Sequence, residues 1–268
     1  MASHAHAPEP GPEQVARDGL RPVLQSGPRF FVAARILGVL FALGIVGFVL
    51  RLRGGFEDRT AWGYYAALFS FLLSTAGSAP VVAVGLRLTR ADWRRPLARA
   101  VELYAVVGLL LLLLFVPLLS LVPSAQGRRT IWFEWPGAPH LWDTLAVVML
   151  VACGLLMLYT SAIPDLAAAR DTAPAGRRHR VFAWLAWGWR GSQRQWRLQR
   201  SALTLLGTFY FMLFVLVHTL ISVDFAVSLV PGWKDPLFPT YHALTGLQAA
   251  VAIAILTMLA LRWVGYRA

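Results

Sequence analysis

Six apolar runs, each about 20 residues long, constrain this chain more than any other feature: 30–50, 64–86, 100–122, 142–163, 202–222 and 242–261. At about 1.5 Å of rise per residue, such a run crosses a hydrocarbon core of about 30 Å as a helix. Lipid offers no hydrogen-bond partners, so backbone polar groups must be satisfied within the segment, as a helix does. The alternating pattern of barrel strands is absent. Composition agrees, with 57% hydrophobic and 14% charged residues, where soluble domains carry about a quarter charged. The sequence predicts an all-α, polytopic membrane protein with about six transmembrane helices.

The net charge of +12 raises the question of nucleic acid, and its distribution answers it. Nineteen of the 25 basic residues fall in the amino-terminal segment, the second loop, the fourth loop and the tail. Cytoplasmic loops collect Lys and Arg, so both termini are predicted to be cytoplasmic. The basic loops then read as a topology signal with anionic-lipid contact, and nucleic acid is not expected as a partner. Residues 1–29 are rich in Pro, Ala and Gly, lack an apolar signal-peptide core, and read as a polar disordered tail. The transmembrane domain is expected to occupy 30–268. Within it, 166–201 forms a cytoplasmic interfacial segment, where VFAWLAWGWRGSQRQWRLQR mixes Trp with Arg. That mixture suits a helix lying in the interface, broken at Gly188 and Gly191. A docking surface for a cytoplasmic subunit is the alternative. Cys153 is the sole cysteine. No disulfide framework, iron–sulfur ligand set, haem attachment motif or metal site is expected, and no covalently bound cofactor.

The costliest residues lie in 215–242, VLVHTLISVDFAVSLVPGWKDPLFPTYH, where an apolar run carries His218 and Asp224. An ionisable group in hydrocarbon costs roughly 2.5–3.5 kcal/mol on insertion scales, so it faces a bundle interior and usually has a task. Alternating span directions bring Asp143, His218, Asp224 and His242 to the outer side. Glu102 and Asp165 fall on the cytoplasmic side, where they read as a proton entrance or, more simply, as boundary charges near Arg99 and Arg170. The outer set suits quinol oxidation, which releases two electrons and two protons. A carboxylate and an imidazole can bind the two hydroxyls and accept protons. Taken singly, each residue also has a bland reading. Asp143 sits in the first turn of its helix, where the dipole favours a carboxylate and backbone amides could hold it. Asp224 and His242 could be interfacial. His218, furthest from a span end, resists this reading most. The two histidines are not clearly level, so haem ligation is not expected. In the second span, Ser74, Thr75, Gly77, Ser78 and Ala79 before Pro80 read as close packing, with hydroxyls serving backbone groups freed by the proline, or as room for a ligand. No soluble-type catalytic motif appears, so no catalytic residue is assigned within the chain.

Several ordered stretches resemble one family. They are LTRADWRRPLARAVEL at 88–103, LWDTLAVV at 141–148, IPDLAAARD at 163–171, WGWRGSQRQW at 187–196 and VHTLISVDFAVSLVPGWKDPLFPTY at 217–241. The chain resembles the NrfD/polysulfide-reductase-type membrane subunits, most closely the quinol-interacting membrane subunits of alternative complex III. The resemblance implies a cofactor-free helical subunit of a respiratory oxidoreductase in the bacterial cytoplasmic (inner) membrane. Its substrate would be a quinone or quinol, menaquinone or ubiquinone. Its partners would be iron–sulfur or multihaem cytochrome subunits, and some relatives are held to conduct protons. Asp143 matches the family's Trp-Asp position near the quinone, and His218 and Asp224 match its His and Asp before the Pro-Gly-Trp turn. Relatives continue with further spans, so this chain reads as a shortened paralogue, a split subunit or a fragment, with spans two to five as a four-helix bundle and one flanking helix on each side. Three stretches depart from the pattern: Ser120 and 74–77 stand where relatives often carry His, and Lys234-Asp235-Pro236 follows the turn. The departures motivate an alternative, a membrane anchor that has lost a working quinone site.

Overall fold

In the second apolar run the chain does not cross as one helix. The computed structural model describes residues 28–56, 59–89, 94–121, 135–227 and 235–263. Within it the run divides into α2 (Arg59–Ser74) and α3 (Pro80–Leu88), joined by turns. Pro80 has no amide proton to continue the ladder and clashes with the carbonyl four residues back, so the helix breaks ahead of it. The backbone groups freed by the break find partners close by. Gly77 N donates to Leu72 O at 2.9 Å and Val81 N to Ser78 O at 2.9 Å. The Ser78 hydroxyl donates to Leu73 O at 2.7 Å, and the Tyr210 hydroxyl to Gly77 O at 2.6 Å. Irregular backbone survives at membrane depth only when served in this way.

The other elements are α1 (Pro28–Arg53), α4 (Arg94–Glu102), a 3-10 turn at Leu103–Val106, α5 (Val107–Leu119), α6 (His140–Thr172), α7 (Arg177–Leu185), α8 (Gln193–Phe225) and α9 (Phe238–Trp263). No strand occurs among the described residues. Five helical stretches are long and apolar enough to cross a membrane: Phe31–Arg53, Leu97–Leu119, His140–Thr172, Gln193–Phe225 and Phe238–Arg262. This is a multi-pass membrane protein. Within 166–201, where an interfacial segment is expected, α6 continues to Thr172 and α8 begins at Gln193, with α7 between them. The tail through residue 27, Glu134 and the Pro-Gly-Trp-Lys turn at 231–234 lie outside the described residues.

The chain divides into two compact units. One comprises the segment through Gly55 with Ala162–Ser192. In it α1 is exposed along its length, as with Leu37 and Leu43, and a small core gathers Ala167, Ala186 and Trp189. The other unit, Phe56–Ser161 with Gln193–Ala268, carries the main core. Phe69 and Leu73 of α2 meet Leu111 and Phe115 of α5, Val147 and Leu150 of α6, and Phe214 and Val217 of α8. Lipid tails are as apolar as these side chains, so close packing holds the helices together rather than escape from water. Gly108 accordingly lets Val151 approach, as an added Cβ would meet it at 3.0 Å. The opposite faces display leucines such as Leu113 and Leu205.

Candidate functional site

The four ionisable residues expected on the outer side lie at one end of the second unit. α6 presents Asp143 in its first turn, α8 presents His218 and Asp224 near its last turns, and α9 presents His242 at the start of its second turn. Asp143, His218 and Asp224 are each 0% exposed. Two further residues complete the cluster, Ser70 of α2 and Ser222 of α8.

Helical spacing explains most of this convergence. Residues four apart share a helix face, so Ser222 lies one turn beyond His218 and donates to its carbonyl oxygen at 2.6 Å. The single Ser222 proton is thereby committed. In the 2.9 Å contact between Ser222 Oγ and His242 Nδ1, His242 must then donate. Its other nitrogen, Nε2, accepts from Ser70 Oγ at 3.2 Å. The result is a directed chain across three helices, from the Ser70 hydroxyl through His242 and Ser222 to the backbone of His218. His242 thus ties α9 to α2 and α8, so the last helix is a contributor to this cluster and not merely a flank.

His218 is fixed differently. Its Nδ1 donates to Phe214 O at 2.9 Å, and its ring packs on Phe214 at 4.3 Å and on His242 at 5.0 Å between centroids. The two histidines are therefore level and in contact, which sequence could not establish. His218 Nε2 is left as an acceptor with no hydrogen-bond partner among the described residues. It lies against Gly246, one turn beyond His242, where an added Cβ would come within 2.7 Å of it.

Asp143 does not cap its helix. Neither carboxyl oxygen has a hydrogen-bond partner of normal geometry among the described residues, so the bland expectation of a carboxylate held by backbone amides fails here. The neighbour its carboxyl group does feel is Asp224, whose like charge acts on it directly. Two buried carboxyl groups side by side repel when both are ionised and attract when they hold a proton between them. Such a pair is suited to taking up or releasing a proton.

The two residues expected on the cytoplasmic side fare differently. Glu102 is 0% exposed and ion-paired with Arg87 of α3. Its Oε2 lies 3.7 Å from Arg99 Nη1 and accepts from the Ser161 hydroxyl. Arg99 in turn donates to Ser161 Oγ at 2.7 Å. This network fastens α3, α4 and α6 together. Asp165 is exposed on the last turns of α6 and belongs to the other unit. Between the Asp143 and Glu102 levels, Gly77, Tyr104, Gly108, Gly154 and Tyr210 line a cleft of a size for about one water molecule. Among the described residues, no three His, Cys, Asp or Glu side chains converge as the ligands of a metal ion would.

Sequence reading missed Ser70, Ser222, Gly246, Arg87 and Ser161. Ser222 and Gly246 carried a usable signal, since each stands four residues after a singled-out histidine. Ser70 and Ser161 carried none, because hydroxyls are ordinary in membrane helices. No known family model matches the chain, and no curated protein matches it.

Proposed function

We propose that the chain is a quinone-interacting membrane subunit of a multi-subunit respiratory oxidoreductase. It would pass electrons between the quinone pool and iron–sulfur or haem partner subunits in a bacterial cytoplasmic membrane. The observation that carries this reading is Asp143, a fully buried carboxyl group with no hydrogen-bond partner of normal geometry among the described residues and with the Asp224 carboxyl group beside it. Burying a polar group without a partner costs free energy, so such a group persists where it serves a ligand or a proton. The resemblance of 141–148 and 217–241 to the quinol-interacting family supports the same assignment.

In this reading the quinol head lies at the Asp143 end of the bundle. One quinol hydroxyl donates to Asp143 and the other to His218 Nε2, the acceptor that the Phe214 carbonyl orients. Oxidation breaks both O–H bonds. The two electrons leave to the partner's clusters, and the two protons pass to Asp143 and His218, with Asp224 sharing the first. Contact with His218 requires α9 to shift at Gly246, which covers Nε2. The six-span topology, with α2 and α3 as one broken crossing and both termini cytoplasmic, belongs to the same proposal.

The competing reading is a membrane anchor without a working quinone site, favoured by Ser120 and 74–77 standing where relatives carry histidines. A fluorescent quinol-site inhibitor, titrated into the chain purified with its co-eluting partners, separates the two. We expect saturable binding that Asp143→Asn abolishes. The substitution is nearly isosteric and its amide can still hydrogen-bond Asp224, so the fold should persist. Absence of saturable binding, or an Asn variant that binds like wild type, would leave the anchor.

A further inference from the structure

We propose that residues 177–187 form a docking surface for anionic phospholipid headgroups, built on the end of α6 and independent of the quinone reading. The first observation is where α7 starts. The chain leaves the membrane helix α6 at Thr172 and enters α7 at Arg177. The start of α7 is fastened back by a 3.0 Å contact between His179 Nδ1 and Arg170 O. Arg170 also donates to Trp189 O at 3.1 Å. The segment after α7 is thus closed onto the same helix end, with Ala167, Ala186 and Trp189 packed beneath it. The surface is thus tethered to a helix long and apolar enough to cross a membrane.

The second observation is what that surface displays. Trp184 is 80% and Trp187 79% exposed, although Trp189 beside them is buried. Trp187 holds a positive φ of 45°, a conformation that costs a bulky residue energy and persists where surroundings or function require it. The turn through Trp187 keeps its indole outward while Trp189 turns in. Residues 177, 180, 181 and 184 share one face of α7 by helical spacing, so Trp184 and the half-exposed Val181 are flanked by Arg177 and Arg180, with Arg178 exposed next to them. Indoles favour the headgroup level of a bilayer, and arginine binds phosphate oxygens with its planar fork.

The third observation is charge. Ala162–Ser192 carries five arginines against two aspartates. One of these, Asp171, is already paired with Arg170 at 2.7 Å. The excess positive charge lies with the exposed tryptophans, which fits an anionic lipid surface rather than a zwitterionic one.

Hydrogen exchange of the full chain in nanodiscs tests the proposal, with phosphatidylcholine alone compared with phosphatidylcholine plus phosphatidylglycerol. We expect amides of 177–187 to exchange at least about fivefold more slowly with the anionic lipid, the effect of about one arginine at such a surface. The difference should vanish in Arg177→Gln/Arg178→Gln/Arg180→Gln, which alters only exposed side chains and leaves the helix intact. In Trp184→Ser/Trp187→Ser it should shrink, and protection should fall in both lipids. Equal exchange in the two lipids would overturn the proposal. So would protection that ignores lipid charge and appears only when a soluble partner protein is added, because that outcome assigns the surface to a protein.

Discussion

Gly246 shows how one absent side chain can set a site. It stands one turn beyond His242 and lets α9 lie directly against His218 Nε2. A methyl group there would have to displace the imidazole, which Phe214 and His242 hold from the other sides. Gly246→Ala should therefore destabilise the protein by about 1–3 kcal/mol, the usual cost of overpacking, read as a lower melting temperature in detergent. An unchanged melt would mean that α9 yields freely and that His218 is less confined than the packing indicates. Asp143, His218, Asp224 and His242 were legible in the sequence, because an ionisable residue in a lipid-grade run is costly wherever it sits. Their partners were not. Glycine and serine are common in membrane helices, and only a structure shows that Ser70 and Ser222 address the two nitrogens of one histidine.

Among the elements, the broken second crossing departs most from sequence expectation. Hydropathy reports the burial demanded of 64–86 but not backbone continuity, so a run of lipid length read as one helix. The cue was local: small and hydroxylated residues before Pro80, which the structure uses both for close packing and for serving freed carbonyls. Tyr210 joins that repair from another helix, and nothing in the sequence linked it to Gly77. Tyr210→Phe should cost about 1–2 kcal/mol, since the Gly77 carbonyl loses its hydroxyl donor in a buried site. Chemical denaturation in detergent would measure it, and a neutral effect would show that the break finds another donor. The Glu102 network sets a larger effect at the cytoplasmic-side expectation. Removing Arg87 leaves a buried carboxylate whose remaining cation among the described residues is the more distant Arg99. Arg87→Ala should thus cost up to about 3–5 kcal/mol, whereas Arg87→Met/Glu102→Met, which removes both charges, should cost much less. Equal losses in the two variants would argue for a role of Glu102 beyond the clamp.

For the whole molecule, the open quantity is the number of crossings. Five stretches qualify by length and hydropathy, and α2 with α3 makes a sixth only if the broken pair passes through together. The two counts differ in one observable. An odd number puts the chain ends on opposite sides of the membrane, and an even number puts them on the same side. Nineteen of the 25 basic residues lie in segments that six crossings bring to one side, and Lys and Arg collect on the cytoplasmic side. Five crossings would split those segments between both faces. The chain is convenient for the test because its one cysteine, Cys153, is buried in α6. Cysteines introduced singly near Ala2 and Ala268 can be labelled in cells with a membrane-impermeant maleimide. Both should resist labelling from outside and react once the membrane is opened. Labelling of one end from outside would reduce the crossings to an odd number. It would also mean that α2 and α3 enter and leave on the same face and, if the labelled end is the carboxy-terminal one, that Asp143, Asp224 and His242 share the cytoplasmic side instead of the outer one.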